Sequence, residues 1–512
     1  MNRKVSTVAV VGAGSGGLLA ALGIRKLNPR IAVKVIYSSA APVIGVGEST
    51  QPNLPQYLHN FLELPFSDFY REVRPTWKLG LRFTWGQRRH FNYPFQDQFN
   101  YRPQKDLREV GFYCDKSMLY TNELSAAMDL DRSPVFREMD GRLGMRLDHA
   151  YHIENRKFVG HLMKKAKDFG CALIDAEVLD FELDEQGYVS AAILKNQEPV
   201  QADLWVDSSG FESMLLGRKL GARFVGYDEQ LYCDRAVVGG HPYRPATAPI
   251  RPYTCVDTMD CGWCFTIDHD DISNAGYVYS SAHISDDAAR EEFLKFRPHV
   301  EETRVIPFKT GRYERLWHKN VVGMGNASGF IEPLEATALA VICRASTNLA
   351  YALNTAPTVT PAMVKRFNLD VSNVWDVTRD IITFHYAFND RRDTAFWRDC
   401  RENLPGKLGY YAEWLDFYRA NGPTSVMARH QFLEGDLFKL DGFLSLAIGM
   451  RVPYEAENEI TDRERRNWEQ IRSHNRQRGQ LALPQRKALQ IVNNAQWCWP
   501  APQLSPYYQQ GG

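Results

Sequence analysis

The glycines Gly12, Gly14 and Gly17 stand in the spacing G-x-G-x-x-G within the run Gly12-Ala13-Gly14-Ser15-Gly16-Gly17. In such a turn the first glycine permits a tight bend, the second lets the backbone approach a pyrophosphate, and the third brings helix close to strand. The helix N-terminus then faces the phosphates. The acidic residue expected about 20 residues further on for a ribose is missing, because the second strand pattern ends Ile36-Tyr37-Ser38-Ser39. Ser38 or Ser39 is the candidate neutral partner, and this unit alone does not separate NAD from FAD. Cys261-Gly262-Trp263-Cys264 has the spacing of a redox pair or of half a zinc site. No second C-x-x-C completes four ligands, and residues 263–267 read as a strand rather than a redox turn. Asp268-His269-Asp270-Asp271 reads as an acidic turn or a metal cluster, and His385, with no suitably spaced partner, reads as a core or substrate-pocket residue. On residue type alone, Lys78 between Trp77 and Leu79 is a snorkelling surface lysine. Glu335, just before the apolar run 336–342, suits the first turn of a helix.

The elements that must position these residues follow from periodicity. Residues 5–11 form a buried-strand pattern, 18–27 have helical apolar spacing, and 31–37 form a second strand, so the glycine turn lies inside a βαβ unit of about 30 residues. Residues 150–170 read as a helix with Phe158, Leu162 and Ala166 inward, 171–174 and 202–206 as strands. The stretches 72–135 and 222–310, rich in Tyr, Phe, Trp and Thr, predict a sheet-bearing insert. Helical spacing dominates from Pro361, and the last thirty residues from Leu483 are expected to wrap the surface.

Composition sets the outer bounds. The chain has 512 residues, 61 Lys+Arg against 61 Asp+Glu, 44% hydrophobic and 24% charged residues. That balance predicts a globular protein with a large core and argues against electrostatic nucleic-acid binding. No stretch reaches the roughly 18 apolar residues of a membrane span, and no signal peptide is visible, so no membrane association is expected. Nine cysteines, an odd number scattered from Cys114 to Cys498, do not suggest a disulfide framework and point to a cytoplasmic location. The 11 Trp serve either a stacked aromatic substrate or a well-filled core.

Asp207-Ser208-Ser209-Gly210-Phe211 and the segment from Asn320 to Phe330, including Gly325-Asn326, look like the later nucleotide-contacting segments of FAD-dependent monooxygenases, which moves the reading to FAD. Four blocks together resemble the flavin-dependent halogenases of the tryptophan halogenase family. They are the glycine turn, Ile44-Gly45-Val46-Gly47-Glu48-Ser49-Thr50, Trp77-Lys78-Leu79-Gly80-Leu81-Arg82-Phe83, and Gly329-Phe330-Ile331-Glu332-Pro333-Leu334-Glu335-Ala336-Thr337-Ala338. A fifth, His385-Tyr386 followed by Arg391-Arg392-Asp393-Thr394-Ala395-Phe396-Trp397, resembles the same family's helical part.

The resemblance implies an α/β, Rossmann-type FAD-binding monooxygenase-like fold. Residues 1–350 would form the FAD-binding module with interleaved β-rich substrate segments, and 351–512 a mainly helical substrate-covering region. It implies a two-component enzyme using FADH2 from a separate NAD(P)H-dependent flavin reductase. A flavin hydroperoxide would oxidise chloride or bromide to hypohalous acid, which reaches an indole, pyrrole or phenol, free or carrier-tethered. By the same resemblance Lys78 is the catalytic lysine and Glu335 the active-site carboxylate, while Thr337 and Ala338 supply backbone N–H groups to halide. The flavin would be held by Gly12, Gly14, Ser15, Gly16, Gly17, Ser38, Ser39, Ile44, Val46, Gly47, Ser49, Val178, Gly325, Asn326 and Leu339. Two departures stand out. The family's W-x-W-x-I-P segment reads Trp263-Cys264-Phe265-Thr266-Ile267-Asp268, and the residue after Glu335 is Ala336 rather than Ser. These keep a halogenase-like monooxygenase, oxygenating its substrate directly, as the alternative. A non-catalytic FAD-binding protein would leave Lys78 and Glu335 unexplained.

Overall fold

The computed structural model describes residues 3–40, 48–96, 114, 117–138, 140–242, 248–356, 358–424, 436–457 and 459–501. Its first sheet has six strands in the order Ala172–Asp175, Ala32–Tyr37, Thr7–Val11, Leu204–Asp207, Val321–Gly323 and Trp317–His318. The first five run parallel and the last antiparallel. Val8, Ala9 and Val10 are fully buried, as a central parallel strand covered on both faces requires. Helix Ser15–Leu27 follows the glycine turn and packs against helices Ala338–Thr355 and Asn155–Asp168. This is the Rossmann-type arrangement that the βαβ pattern predicts.

A second, seven-stranded sheet contains, in spatial order, Arg235–Pro242, Ile272–Tyr279, Gly262–Asp268, Thr254–Met259, Gly80–Thr84 and Phe91–Pro94, with Thr303–Pro307 outside Arg235–Pro242. Only the pairing of Thr254–Met259 with Gly80–Thr84 is parallel. A small sheet of Glu48–Ser49, Ala150–Ile153 and Thr76–Lys78 carries the lysine. Here the expected 150–170 helix is corrected. Residues Ala150–Ile153 are a fully buried strand, and the helix starts at Asn155, where the Glu154 side chain accepts from the N–H groups of Arg156 and Lys157. The inward spacing of Phe158, Leu162 and Ala166 holds within the helix.

The C-terminal expectation is also corrected. Strand Ala482–Pro484 pairs with Arg132–Arg137, and Gln485–Val492 is a helix. Gln485 is buried; its Oε1 accepts from the Trp77 N–H at 2.9 Å, and its Nε2 donates to the Arg251 carbonyl at 3.2 Å. Arg251 in turn grips Asp268, Nε to Oδ2 at 2.6 Å and Nη2 to Oδ1 at 2.9 Å, while the Ser273 hydroxyl donates to Oδ1. The Thr76 hydroxyl donates to the Asp268 carbonyl at 2.7 Å. The main-chain carbonyl of Asp268 thus ties down the strand next to Lys78, while its carboxylate, where the family has proline, holds Arg251. Among the described residues no helix is long and apolar enough to cross a membrane, and the nine cysteines are free.

Asp268 is 2% exposed and a third of Arg251 reaches solvent. Arg251→Met leaves the carboxylate without its counter-charge, a loss of about 3 kcal/mol, the lower end for a broken buried pair. A lower melting temperature checks it.

Candidate active site

The glycine turn has the shape its spacing predicts. Gly12 lies at φ +105°, where a Cβ would sit 2.2 Å from the Ser208 carbonyl oxygen, and a Cβ on Gly17 would be 2.1 Å from the Gly12 carbonyl oxygen. Gly14, by contrast, is exposed with nothing within 4 Å of a would-be Cβ. Backbone is therefore brought to the edge of open space at the C-terminal end of the parallel strands, where open α/β sheets take their ligands. Gly16 and Gly325 approach each other, a Cβ on Gly16 being 3.6 Å from Gly325 Cα, so two of the expected nucleotide segments converge. Asn326 is half-buried beside Gly325, and Leu339 is buried in the first turn of Ala338–Thr355. The Ser15 hydroxyl donates to Asn155 Oδ1. Ser38 and Ser39 follow strand Ala32–Tyr37 at the same sheet edge, and the Ser39 N–H donates to Asp175 Oδ1 at 2.9 Å. A carboxylate is present there after all, contributed by the neighbouring strand. Val178, half-buried, begins the next strand, Val178–Leu183. Ser49 lies on the lysine sheet, its hydroxyl 2.8 Å from that of Thr254. Ile44, Val46 and Gly47 lie outside the described residues. Asp207 is structural, accepting from the N–H groups of Ser209, Leu215 and Leu216. Open space at Gly14, the bend at Gly12 and the convergence at Gly325 fit the pyrophosphate of a dinucleotide such as FAD.

Lys78 is no surface lysine. It is fully buried at the end of Thr76–Lys78, its Nζ donating to the Thr50 carbonyl at 2.9 Å and lying 5.0 Å from the Phe95 ring centre. Burial brings its amine down to about 7, against the pull of the Glu335 carboxylate in the other direction. Glu335, also fully buried, ends the turn Pro333–Glu335, and its carbonyl accepts from Gln51 Nε2 at 2.8 Å. Its side chain makes no cap. Oε1 is 2.8 Å from His385 Nε2, and Oε2 is buried with no hydrogen-bond partner. Ala336 then takes a left-handed conformation, φ 55°, so the main chain doubles back before Thr337, buried, and Ala338, exposed, at the start of Ala338–Thr355. Thr337 makes no side-chain cap bond there. Such a left-handed turn running into a helix aims unsatisfied N–H groups at one point, the geometry of an anion cradle.

His385, read from the sequence as a core or substrate-pocket residue without a partner, lies on Pro361–Ala387 and meets Glu335, 50 residues away; no local spacing signals such a pair. Sequence reasoning missed Thr50 and Gln51, and Glu332, a fully buried acid pushed up to about 7 by burial and facing Trp263, Tyr386 and Cys233. Phe265 stays buried beside Trp263, ring centres 6.1 Å apart. Cys261 and Cys264 are thiols pushed by burial up to about 11 and about 12, far from the thiolate a redox pair or a zinc site requires. Among the described residues no group of His, Cys, Asp and Glu is arranged to hold a metal ion.

A dinucleotide-binding α/β unit joined to a β-rich unit that buries a lysine with a glutamate defines an enzyme that couples a nucleotide cofactor to a separate, dry reaction chamber. The tryptophan halogenase family model matches residues 7–465, and the chain belongs to that family of flavin-dependent enzymes. Tryptophan 6-halogenase SttH of Streptomyces toxytricini is 30% identical over 452 residues, covering 83% of this chain and 86% of the relative. Among solved structures, MibH, a lanthipeptide tryptophan 5-halogenase, superposes with a TM-score of 0.86 at 31% identity, over 96% of this chain and 94% of that one. BrvH, a flavin-dependent halogenase from Brevundimonas sp. BAL3, gives 0.82 at 27% identity, over 96% and 100%.

Gly14→Val puts a side chain into the open space without touching packed atoms. FAD affinity, read by flavin fluorescence, should fall roughly 100-fold or more, about 2.8 kcal/mol, while the melting temperature of the apoprotein stays unchanged.

Proposed function

We propose that this enzyme is a two-component halogenase that takes FADH2 from a separate NAD(P)H-dependent flavin reductase. With oxygen and chloride or bromide it halogenates an electron-rich aromatic, free or carrier-tethered. Among indole, pyrrole and phenol, the indole of tryptophan is favoured, since SttH and MibH are named for it. The observation that carries this reading is the completely buried Lys78 amine, brought down to about 7 and acted on by Glu335.

The cofactor would be held by the Gly12–Gly17 turn and the Gly325 segment. Reduced FAD with oxygen supplies the two-electron oxidant that turns halide into hypohalous acid. The N–H groups of Thr337 and Ala338 hold the halide. Lys78 presents the hypohalous acid to one ring carbon. It does so either by hydrogen bonding or by attack of the free amine on the halogen, which gives a haloamine and releases water. Glu335 Oε2, without a hydrogen-bond partner among the described residues, accepts the proton that the halogenated carbon sheds. Around them, Trp77 and Trp263 are buried and keep bulk water away from a hydrolysable reagent.

Direct oxygenation is the alternative that Phe265 and Asp268 suggested. Both positions have a packing role, since Phe265 keeps an aromatic ring beside Trp263 and Asp268 is engaged by Arg251. The deciding experiment supplies reduced FAD, oxygen, chloride or bromide and an aromatic panel, with products weighed. A product heavier by oxygen instead of halogen overturns the reading.

Lys78→Ala should abolish halogenated product while uptake of reduced FAD and oxygen consumption continue, with peroxide escaping. Glu335→Gln should retain a residue of activity, lowered on the order of 10²–10⁴-fold. Because the amine is free above its pKa and an ammonium below it, activity through a free amine should fall as pH drops through about 7, which a pH–rate profile checks.

A further inference from the structure

Glu335 has one oxygen facing the site and one facing His385, and the hydrogen-bond chemistry of that contact fixes its charge. His385 Nδ1 is 2.7 Å from the Ile381 carbonyl oxygen, which only accepts, so Nδ1 carries a proton. In a neutral ring Nε2 is then a bare lone pair, yet it lies 2.8 Å from Glu335 Oε1. Two lone pairs do not meet at that distance, so a second proton lies between them. Whether it belongs to a carboxylic acid beside neutral imidazole or to an imidazolium beside carboxylate, the pair sums to zero charge. The surroundings demand the same. Both side chains are fully buried, and His385 is walled by the rings of Phe83 and Trp85. An isolated carboxylate there would be strongly disfavoured.

We propose that His385 is a positioning residue that holds this proton on the inner oxygen of Glu335, so that a neutral pair leaves Lys78 able to exist as a free amine. The inference rests on the roles given to Lys78 and Glu335 above. The other ionisable groups facing the site do not replace it. His152, on the strand paired with Thr76–Lys78, is pushed far below the ordinary imidazole value by burial and is uncharged, and Glu332 is turned toward Trp263, Tyr386 and Cys233. A bare carboxylate pulls the Lys78 amine upward, and a neutral pair removes that pull. The pair is also a relay. As Oε2 takes the proton from the halogenated carbon, the electron pair of the broken C–H bond restores the aromatic ring. The Oε1 proton moves wholly onto Nε2, leaving a pair of charge +1 that loses one proton to solvent before the next turnover.

The test uses the full chain with ¹⁵N-labelled histidine, the His385 signals being those lost in His385→Gln. A proton on Nδ1, as its contact with the Ile381 carbonyl requires, is expected, and an Nδ1 without its proton overturns the proposal. His385→Gln keeps an N–H for Oε1 but cannot carry the proton. The Lys78 titration, followed by ¹³Cε resonance, should then move up by about one pH unit or more. The acid limb of the pH–rate profile should move with it, and turnover should return at higher pH. A uniform loss of rate with an unmoved Lys78 midpoint would mean a structural histidine and sink the idea. The two resonance measurements need no turnover. Bare Nδ1 in an active halogenase refutes this proposal alone, and the expected signals in a protein without halogenating activity refute the functional reading alone.

Discussion

A lysine amine buried in the interior, with one hydrogen bond among the described residues, is the constraint on which the strands around it depend. Among the described residues Lys78 reaches the Thr50 carbonyl and the face of Phe95. An ammonium so poorly solvated is disfavoured, and its strand would pull toward solvent unless held from several sides. The surrounding structure does this holding. The strand is paired to Ala150–Ile153, its Thr76 hydroxyl is bonded to the Asp268 carbonyl, and its Trp77 N–H is bonded to Gln485. The burial of the amine is thus a property of the fold around its strand.

The same reasoning separates what the sequence made legible from what it hid. The glycine turn and the parallel strands around it were readable because each is a local pattern with a local cause, whereas Lys78 and Glu335 read locally as a surface lysine and a helix-turn acid and stood out only through the family resemblance of their blocks. Strand Ala150–Ile153 was read as helix because its apolar run continues without a breaker into Asn155–Asp168. What makes it a strand is pairing with residues about 75 to 100 positions earlier. The helix Gln485–Val492 was hidden by the Pro- and Gln-rich composition around it. The pairing of His385 with Glu335 was not legible, since a hydrogen bond across 50 residues leaves no periodic trace.

The departures from the family's usual residues have different physical contents. Asp268 brings a charge into the core and an arginine to meet it, so the position gains a directional clamp where a proline would supply only stiffness. Phe265 keeps a ring and gives up an indole N–H. Ala336 keeps a left-handed backbone without glycine's freedom, a local strain of the sort that persists where the surrounding structure enforces it.

The bond between Trp77 and Gln485 spans 408 residues. During synthesis the lysine strand is made early, but its last anchor follows after about 20 to 80 s at ribosomal rates of elongation. A nascent chain can therefore complete its glycine-turn sheet long before its lysine is locked in place. The strand that carries Lys78 thus gains its last hydrogen bond only after the six-stranded sheet, whose latest strand ends at Gly323, has been synthesised.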